Sequence, residues 1–355
     1  MSHRPDFTAS RPRGAARDWN IHWIFAAEKK MNFKESPKLS AVVKAACLLS
    51  TYALFSVAHA AQPPAEILIP GRQVVPESLT SDRNGAIYVG SIVERTIYRA
   101  QPGASQAEPW IGPETEGMQN VLGVLADDAS NTLWACSSPN TPQAGEPSPP
   151  QAALYAFDLK TRALKGKYPF PTQGAVCNDI AIDSNGAAYA TDTANMQVVR
   201  LMKGAKSLDV WSTEGAFGPT GGVLDGIAIL GKTLYVNTLA SSKLFAVPIG
   251  RDGKAGTTTE VQLDRALERP DGMRSFGRNS LLVVEGGGPG RLSKVVLEGN
   301  GGKVTTLKEG YPDNAVAVTV VGETGYVLEA QFKARRDPAY VPKPFRATAV
   351  PVGKP

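Results

Sequence analysis

The sequence predicts an all-β protein, a six-bladed β-propeller of four-stranded blades, closed by an N-terminal strand pairing with the last blade. Three observations carry this reading. One hairpin pattern recurs along the chain, it recurs six times at nearly regular spacing, and no long segment of 3.6-residue period interrupts it.

The pattern is clearest in Val176–Asp192. Ile180 and Ile182 alternate with smaller neighbours, Asp183-Ser184-Asn185-Gly186 reads as a tight turn, and a second apolar run follows from Ala188. An earlier copy aligns Asp82 with Asp183, Gly85 with Gly186 and Tyr88 with Tyr189. Glu77 then falls opposite Asn178. Further copies begin at Leu122, Asp225, Asp271 and Asn314. The spacing runs from 43 residues (Asp271 to Asn314) to 56 (Leu122 to Asn178), and each copy offers at least three short strands. Fourth strands are read at Ser207–Trp211 and Thr258–Val261. One such unit cannot bury both faces, so residues 61–355 are expected to form a single ring. The strand near Ile67 is expected to complete the last blade. Pro139–Pro150 reads as an exposed insertion in the second.

The 355-residue chain begins with segments of another kind. Residues 1–30 are arginine-rich and patternless, and read as an extension ahead of a candidate start at Met31. Residues 31–60 read as a secretory signal peptide. Lys34, Lys38 and Lys44 precede an apolar run from Ala45 to Val57, and Ala58-His59-Ala60 is a small-x-small cleavage site. The apolar run is too short to span a bilayer, so no stable membrane insertion of the mature chain is expected. The expected location is periplasmic or secreted.

Removing residues 1–60 removes nine basic and four acidic residues, leaving 29 of each. No basic surplus remains to argue for nucleic acid. All three histidines, His3, His22 and His59, lie in the removed part. A chain without histidine has no Ser-His-Asp triad and no imidazole for zinc, copper or haem. Cys136 and Cys177 remain. Cys136 ends a second strand and Cys177 opens the next unit, so the two are candidates for a disulfide in an oxidising compartment. Two separate buried thiols are the alternative.

In a propeller the first strand of each blade lines the central channel. The position entering that strand reads Glu77, Leu122, Asn178, Asp225, Asp271 and Asn314 around the ring. Five are oxygen donors and three are carboxylates. Converging carboxylates repel and lose hydration unless a cation sits among them. Without imidazole that cation is expected to be hard, Ca²⁺ first, with Mg²⁺ or Mn²⁺ as alternatives. Ordinary turn chemistry would explain Asp225-Gly226 and Asp271-Gly272, but not Glu77. A second polar set closes the second strands: Ser91, Ser137, Asp192, Thr238, Glu285 and Glu329.

Pro76-Glu77-Ser78, Asn178-Asp179, Asp225-Gly226 and Pro270-Asp271-Gly272-Met273 resemble motifs of the senescence marker protein 30/gluconolactonase/luciferin-regenerating enzyme family of six-bladed propellers. The resemblance covers essentially the whole mature chain. It implies one divalent metal, usually calcium, on Glu77, Asn178, Asp225 and Asp271; Asn314, from the channel positions above, is an additional candidate ligand. Two positions depart from the family: Asp225 stands where the family has Asn, and Ile180 where Asn-Asp-Gly would place Gly. The function implied is a metal-dependent lactonase acting on a small molecule, with Asp271 as catalytic base. Arg274, Asn237 and Glu285 are candidate substrate contacts at the channel mouth. The alternative is a non-catalytic exported propeller that binds a small molecule or a protein around a structural metal.

Overall fold

Six antiparallel sheets follow one another around a ring in the computed structural model, which describes residues 63–113, 115–140, 151–212, 215–219, 221–337 and 339–355. The expected extension, the signal peptide, the three histidines and residues 141–150 of the proline-rich insertion lie outside the described residues. Ala60–Pro355 makes one compact unit. Among the described residues no helix is long and apolar enough to cross a membrane.

The innermost strands of blades one to six are Pro76–Ser81, Asn120–Asp127, Cys177–Ile182, Leu224–Leu230, Pro270–Phe276 and Ala315–Val321. Each packs on the inner strand of the next blade, and the last packs back on the first. The second strands, in the same order, are Ile87–Ser91, Thr132–Ser138, Ala188–Asp192, Thr233–Thr238, Ser280–Glu285 and Thr324–Glu329. These central strands are almost wholly buried, which explains their dense Val, Ile, Leu and Ala content.

Glu66–Ile69 pairs antiparallel with Phe345–Pro351, from Glu66 opposite Thr348 to Ile69 opposite Phe345. The chain's first described strand is therefore the outermost strand of blade six. It covers the outer edge of Phe345–Pro351 and holds the ring shut, with Ile67 and Ile69 buried. Blade five departs from four strands. Its long outer hairpin, Gly290–Glu298 with Gly301–Tyr311, takes on Gln262–Leu263 as a fifth, parallel strand.

The repeat holds down to single hydrogen bonds. Asp82 Oδ1 accepts from the Asn84 and Ala86 N–H groups, and the Tyr88 hydroxyl donates to Asp82 Oδ2 (3.2 Å). In blade three Asp183 Oδ1 accepts from Asn185 and Ala187, and Tyr189 donates to Asp183 Oδ2 (3.3 Å). Gly85 and Gly186 close these turns at φ of 86° and 83°. Each tyrosine then meets a tryptophan edge-on in the outer part of its blade. The Tyr88–Trp110 centroids are 5.1 Å apart and those of Tyr189–Trp211 5.0 Å.

Every inner strand carries an irregularity near its entry, where its pairing with the second strand slips: at 76–78, 121–124, 177–180, 224–227, 270–273 and 315–317. A bulge of this kind re-aims side chains and brings backbone close to its neighbour. Three glycines record how close. A Cβ on Gly123 would lie 2.1 Å from the Asn178 carbonyl oxygen, one on Gly226 2.4 Å from that of Asp271, and one on Gly272 2.6 Å from that of Val316.

Ties from the second strands hold these bulges. Thr191 Oγ1 accepts from the Asp179 N–H and donates to the Asp225 carbonyl of the next blade (2.9 Å). Asn237 does the same one blade on, with Oδ1 accepting from Gly226 N–H and Nδ2 donating to the Asp271 carbonyl (2.8 Å). Between blades two and three the tie is covalent. Cys136 and Cys177 form a disulfide with Cα atoms 5.1 Å apart, closing a loop of sequence separation 41. On chain-entropy grounds such a loop contributes up to roughly 4 kcal/mol.

Gly123→Ala and Gly226→Ala are expected to destabilise the fold by about 2–4 kcal/mol, because the obstructing atoms are backbone of the next blade. Gly112→Ala, with no atom within 4 Å of its Cβ, should stay within about 0.5 kcal/mol of wild type. Urea denaturation of the three variants checks this, and equal midpoints for all three would contradict it.

Candidate metal centre

The bulges place one residue of each blade at one end of the central channel. In blades one, three, four and five these are Glu77, Asn178, Asp225 and Asp271, each between 4 and 8 % exposed. One carboxylate oxygen from each of Glu77, Asp225 and Asp271 lies within 4.8 Å of the others. Asp271 Oδ1 accepts the Gly272 N–H (2.9 Å), which fixes its carboxylate. The Asn178 amide stands beside Asp225 and favours its charged form.

Three carboxylates so close cannot all ionise without a compensating charge. Burial, then the charges of Asp225 and Asp179, hold Glu77 well above the ordinary carboxylate range. Burial and Asp179 push Asp225 up to about 8. Asp271 is raised well above its usual value by burial and by Asp225 and Glu77. The donor chemistry, three acidic oxygens and one amide in loose convergence, suits a hard divalent cation. Glu77, Asn178, Asp225 and Asp271 are the residues that would hold it.

The channel beyond the ring is closed. Arg274 enters it from the inner strand of blade five and crosses to three other blades. Nη1 donates to both Asp179 oxygens, at 2.8 and 3.1 Å. Nη2 lies 3.3 Å from Ser78 Oγ, 3.3 Å from the Leu79 carbonyl and 3.2 Å from the Val124 carbonyl. Asp179 Oδ2 also accepts the Ile227 N–H (3.3 Å). The pair separates the carboxylate ring from a cavity of about 220 Å³ at the opposite mouth, whose wall includes Arg274, Asp127 and Asp128.

Four residues expected at the site belong elsewhere. Asn314 is exposed and sits two positions before the ring, at φ 62°. Its carbonyl accepts the N–H that follows the second strand, as do those of Val75, Val176, Val223 and Arg269. Its counterparts are therefore those residues, and the sixth ring position is Val316, as the Gly272 contact also shows. Arg274 is not at the mouth but inside the channel, committed to Asp179. Asn237 is fully buried and spends both ends of its amide on backbone. Glu285 is also fully buried: Arg265 grips both its oxygens (2.8 and 3.0 Å), and it accepts from Ser293 Oγ and the Glu268 N–H. The second polar set as a whole fastens strand entries. Ser137 accepts from Gln119 N–H, Asp192 from Val176 and Glu329 from Asp313.

Asp179 is the residue that the repeat alone does not single out. Its signal is Arg274, since a guanidinium on a channel-lining strand requires a carboxylate opposite, and once the ring is assigned the inner strands keep two acids, Asp179 near its strand's entry and Asp127 at its strand's far end.

Among solved structures, one of a luciferin-regenerating enzyme superposes with TM-score 0.56 at 14% identity, covering 80% of this chain and 95% of that one. The calcium-binding protein regucalcin from Agrobacterium tumefaciens gives 0.56 at 13%, over 82% and 95%. A gluconolactonase from Xanthomonas campestris gives 0.54 at 14%, over 82% and 96%. The chain shares their six-bladed propeller fold. No family model and no curated protein sequence matches it. At these identities the likeness establishes the fold, and the chemistry rests on this chain's own ring.

The raised carboxylates give a signed prediction. In the unfolded chain these groups release their protons near pH 4, whereas Asp225 in the folded chain releases its proton near 8. Between those values the folded state binds more protons, so stability of the metal-free protein falls as pH rises. Melting in chelator should show a lower midpoint at pH 8 than at pH 5.5, with most of the difference removed by Ca²⁺. A metal-free protein equally or more stable at pH 8 would contradict this.

Proposed function

We propose that the chain is a metal-dependent hydrolase of small cyclic esters, a lactonase, holding Ca²⁺ on Glu77, Asn178, Asp225 and Asp271. One observation carries the reading: three buried carboxylates and an amide converge at one end of the channel, and the Arg274–Asp179 pair spans the channel on their inner side. A substrate therefore meets the ring from one side only. The names of structural neighbours, a calcium-binding regucalcin and a gluconolactonase, support the same reading.

Bound there, the cation supplies charge that polarises an ester carbonyl and stabilises the developing oxyanion. Asp271 is the base in this account. Its Oδ1 is held by the Gly272 N–H, and its carboxylate takes a proton from the water that attacks the carbonyl carbon. The ring C–O bond then breaks, and the proton passes to the departing alkoxide, giving a hydroxy acid. Asn178 supplies the amide donor beside Asp225, and Arg274 fixes the floor of the site without touching the reacting atoms.

The proposal includes export. The sequence over 31–60 and the Cys136–Cys177 disulfide both favour an oxidising compartment. A second reading, a binding propeller with a structural ion, is favoured by Asp225: a third carboxylate tightens cation binding without serving hydrolysis.

A panel of sugar and aliphatic lactones separates the readings. Wild-type protein should open at least one of them, lose that activity to chelator and regain it with Ca²⁺. Asp271→Ala should lower kcat by about 100-fold or more. Full turnover by Asp271→Ala would remove the base assignment. A chelator-sensitive melting temperature with no lactone hydrolysed would favour the structural ion.

A further inference from the structure

The six slips between inner and second strand are not alike. In blades two to five one residue of the second strand faces the bulge and is matched to no residue of the inner strand. These are Cys136, Thr191, Asn237 and Val284. All four are fully buried. In blades one and six no such residue is left over, because Gly90 and Ser91, and Leu328 and Glu329, are consecutive partners.

What these four residues do follows the ring position of the next blade. Thr191 Oγ1 donates to the Asp225 carbonyl (2.9 Å) and Asn237 Nδ2 to the Asp271 carbonyl (2.8 Å), so each holds the backbone of a ring carboxylate. Cys136 is bonded to Cys177, the residue that precedes Asn178. Val284 offers no polar group, and the ring position after it is Val316, which has no donor to hold. Three of the four candidate ligands are thus fastened from the preceding blade at one register position. Glu77 follows blade six, which keeps no residue there. Ser138 Oγ donates to the Cys177 carbonyl (3.1 Å) as Thr193 Oγ1 does to the Leu224 carbonyl (2.6 Å), so the disulfide stands in place of the Thr191 bond and not of this second one. The covalent tie falls at the ring's one uncharged ligand. Cation affinity follows ligand charge and the rigidity of the site, so an amide that brings no charge depends most on being held in place.

We infer that Cys136, Thr191 and Asn237 are positioning residues for the cation, and that the disulfide makes cation affinity depend on the oxidation state of the chain. This rests on the reading of the ring as a cation site. Closing the S–S bond takes two electrons and two protons from the Cys136 and Cys177 thiols and passes them to a disulfide oxidant, which leaves as two thiols. A chain that keeps both thiols folds with the Asn178 amide less firmly placed and binds Ca²⁺ more weakly. The ring is completed where the chain is oxidised.

Calorimetric titration with Ca²⁺, carried out below every melting midpoint, tests this. Wild type with both thiols reduced, and the Cys136→Ala/Cys177→Ala variant, should each bind about tenfold or more weakly than the oxidised protein. Cys136→Thr/Cys177→Ala gives position 136 the hydroxyl that Thr191 uses, and should recover most of that loss. Thr191→Val, with the disulfide intact, should weaken binding as well. Ile69→Ala, in the buried strand that closes the ring, should lower the melting temperature and leave Ca²⁺ affinity unchanged. Equal affinity of the oxidised and reduced forms, no recovery with threonine, undiminished binding by Thr191→Val, or an equal loss in Ile69→Ala would each overturn the inference while the cation site stands. Absence of Ca²⁺ binding by the oxidised protein would remove the site and the inference together.

Discussion

The close approach of each inner strand to the next at its bulge is the constraint on which the rest of this molecule depends. At Gly123, Gly226 and Gly272 there is no space for a Cβ against the neighbouring backbone. Thr191, Asn237 and the Cys136–Cys177 disulfide each bind a second strand to the entry of the next blade. The ring positions lie within these bulges, so the geometry that packs the blades also aims Glu77, Asp225 and Asp271 at one another. A cation held by these residues would be held by the whole ring rather than by a loop.

Charge decides what that geometry can do. The ring gathers three acids in a buried place, and Asp179 adds a fourth beyond them. Arg274 answers Asp179 with Nη1 shared between both carboxylate oxygens, and Nη2 reaches backbone carbonyls of blades one and two. It lowers the cost of ionising Glu77 but does not neutralise the ring. The remaining negative charge makes the ring a candidate cation site. The arginine also spans the channel on the ring's inner side, between the ring and the cavity at the opposite mouth.

Much of this was legible in the sequence because the repeat is local. Asp82 with Tyr88 and Asp183 with Tyr189 repeat the same turn, and the spacing of such turns counted the blades. Glu77, Asn178, Asp225 and Asp271 could be aligned because each takes the same place within its own bulge. Asn314 misled by two positions: an Asn ahead of a strand looks like a ligand, but here it takes the left-handed backbone position shared with Val75, Val223 and Arg269. Asn237, Glu285 and Arg274 look like substrate contacts when only polarity is known. Their real partners are backbone groups and charges far along the chain, such as Asp179, which lies 95 residues from Arg274. Long-range pairing of that kind leaves no periodic trace. The fifth strand of blade five went unread for the same reason, because Gln262–Leu263 pairs across an intervening hairpin.

The central claim is that the ring is one cation site with Glu77 and Asp271 indispensable and Asp225 replaceable by an amide. Calorimetric titration of metal-free protein with Ca²⁺ tests it directly, using wild type, Glu77→Gln, Asp225→Asn and Asp271→Asn. The account predicts one ion per chain for wild type, weaker but saturable binding for Asp225→Asn, and no saturable binding for the other two. No saturable binding by wild type, or undiminished binding by Glu77→Gln and Asp271→Asn, would contradict it.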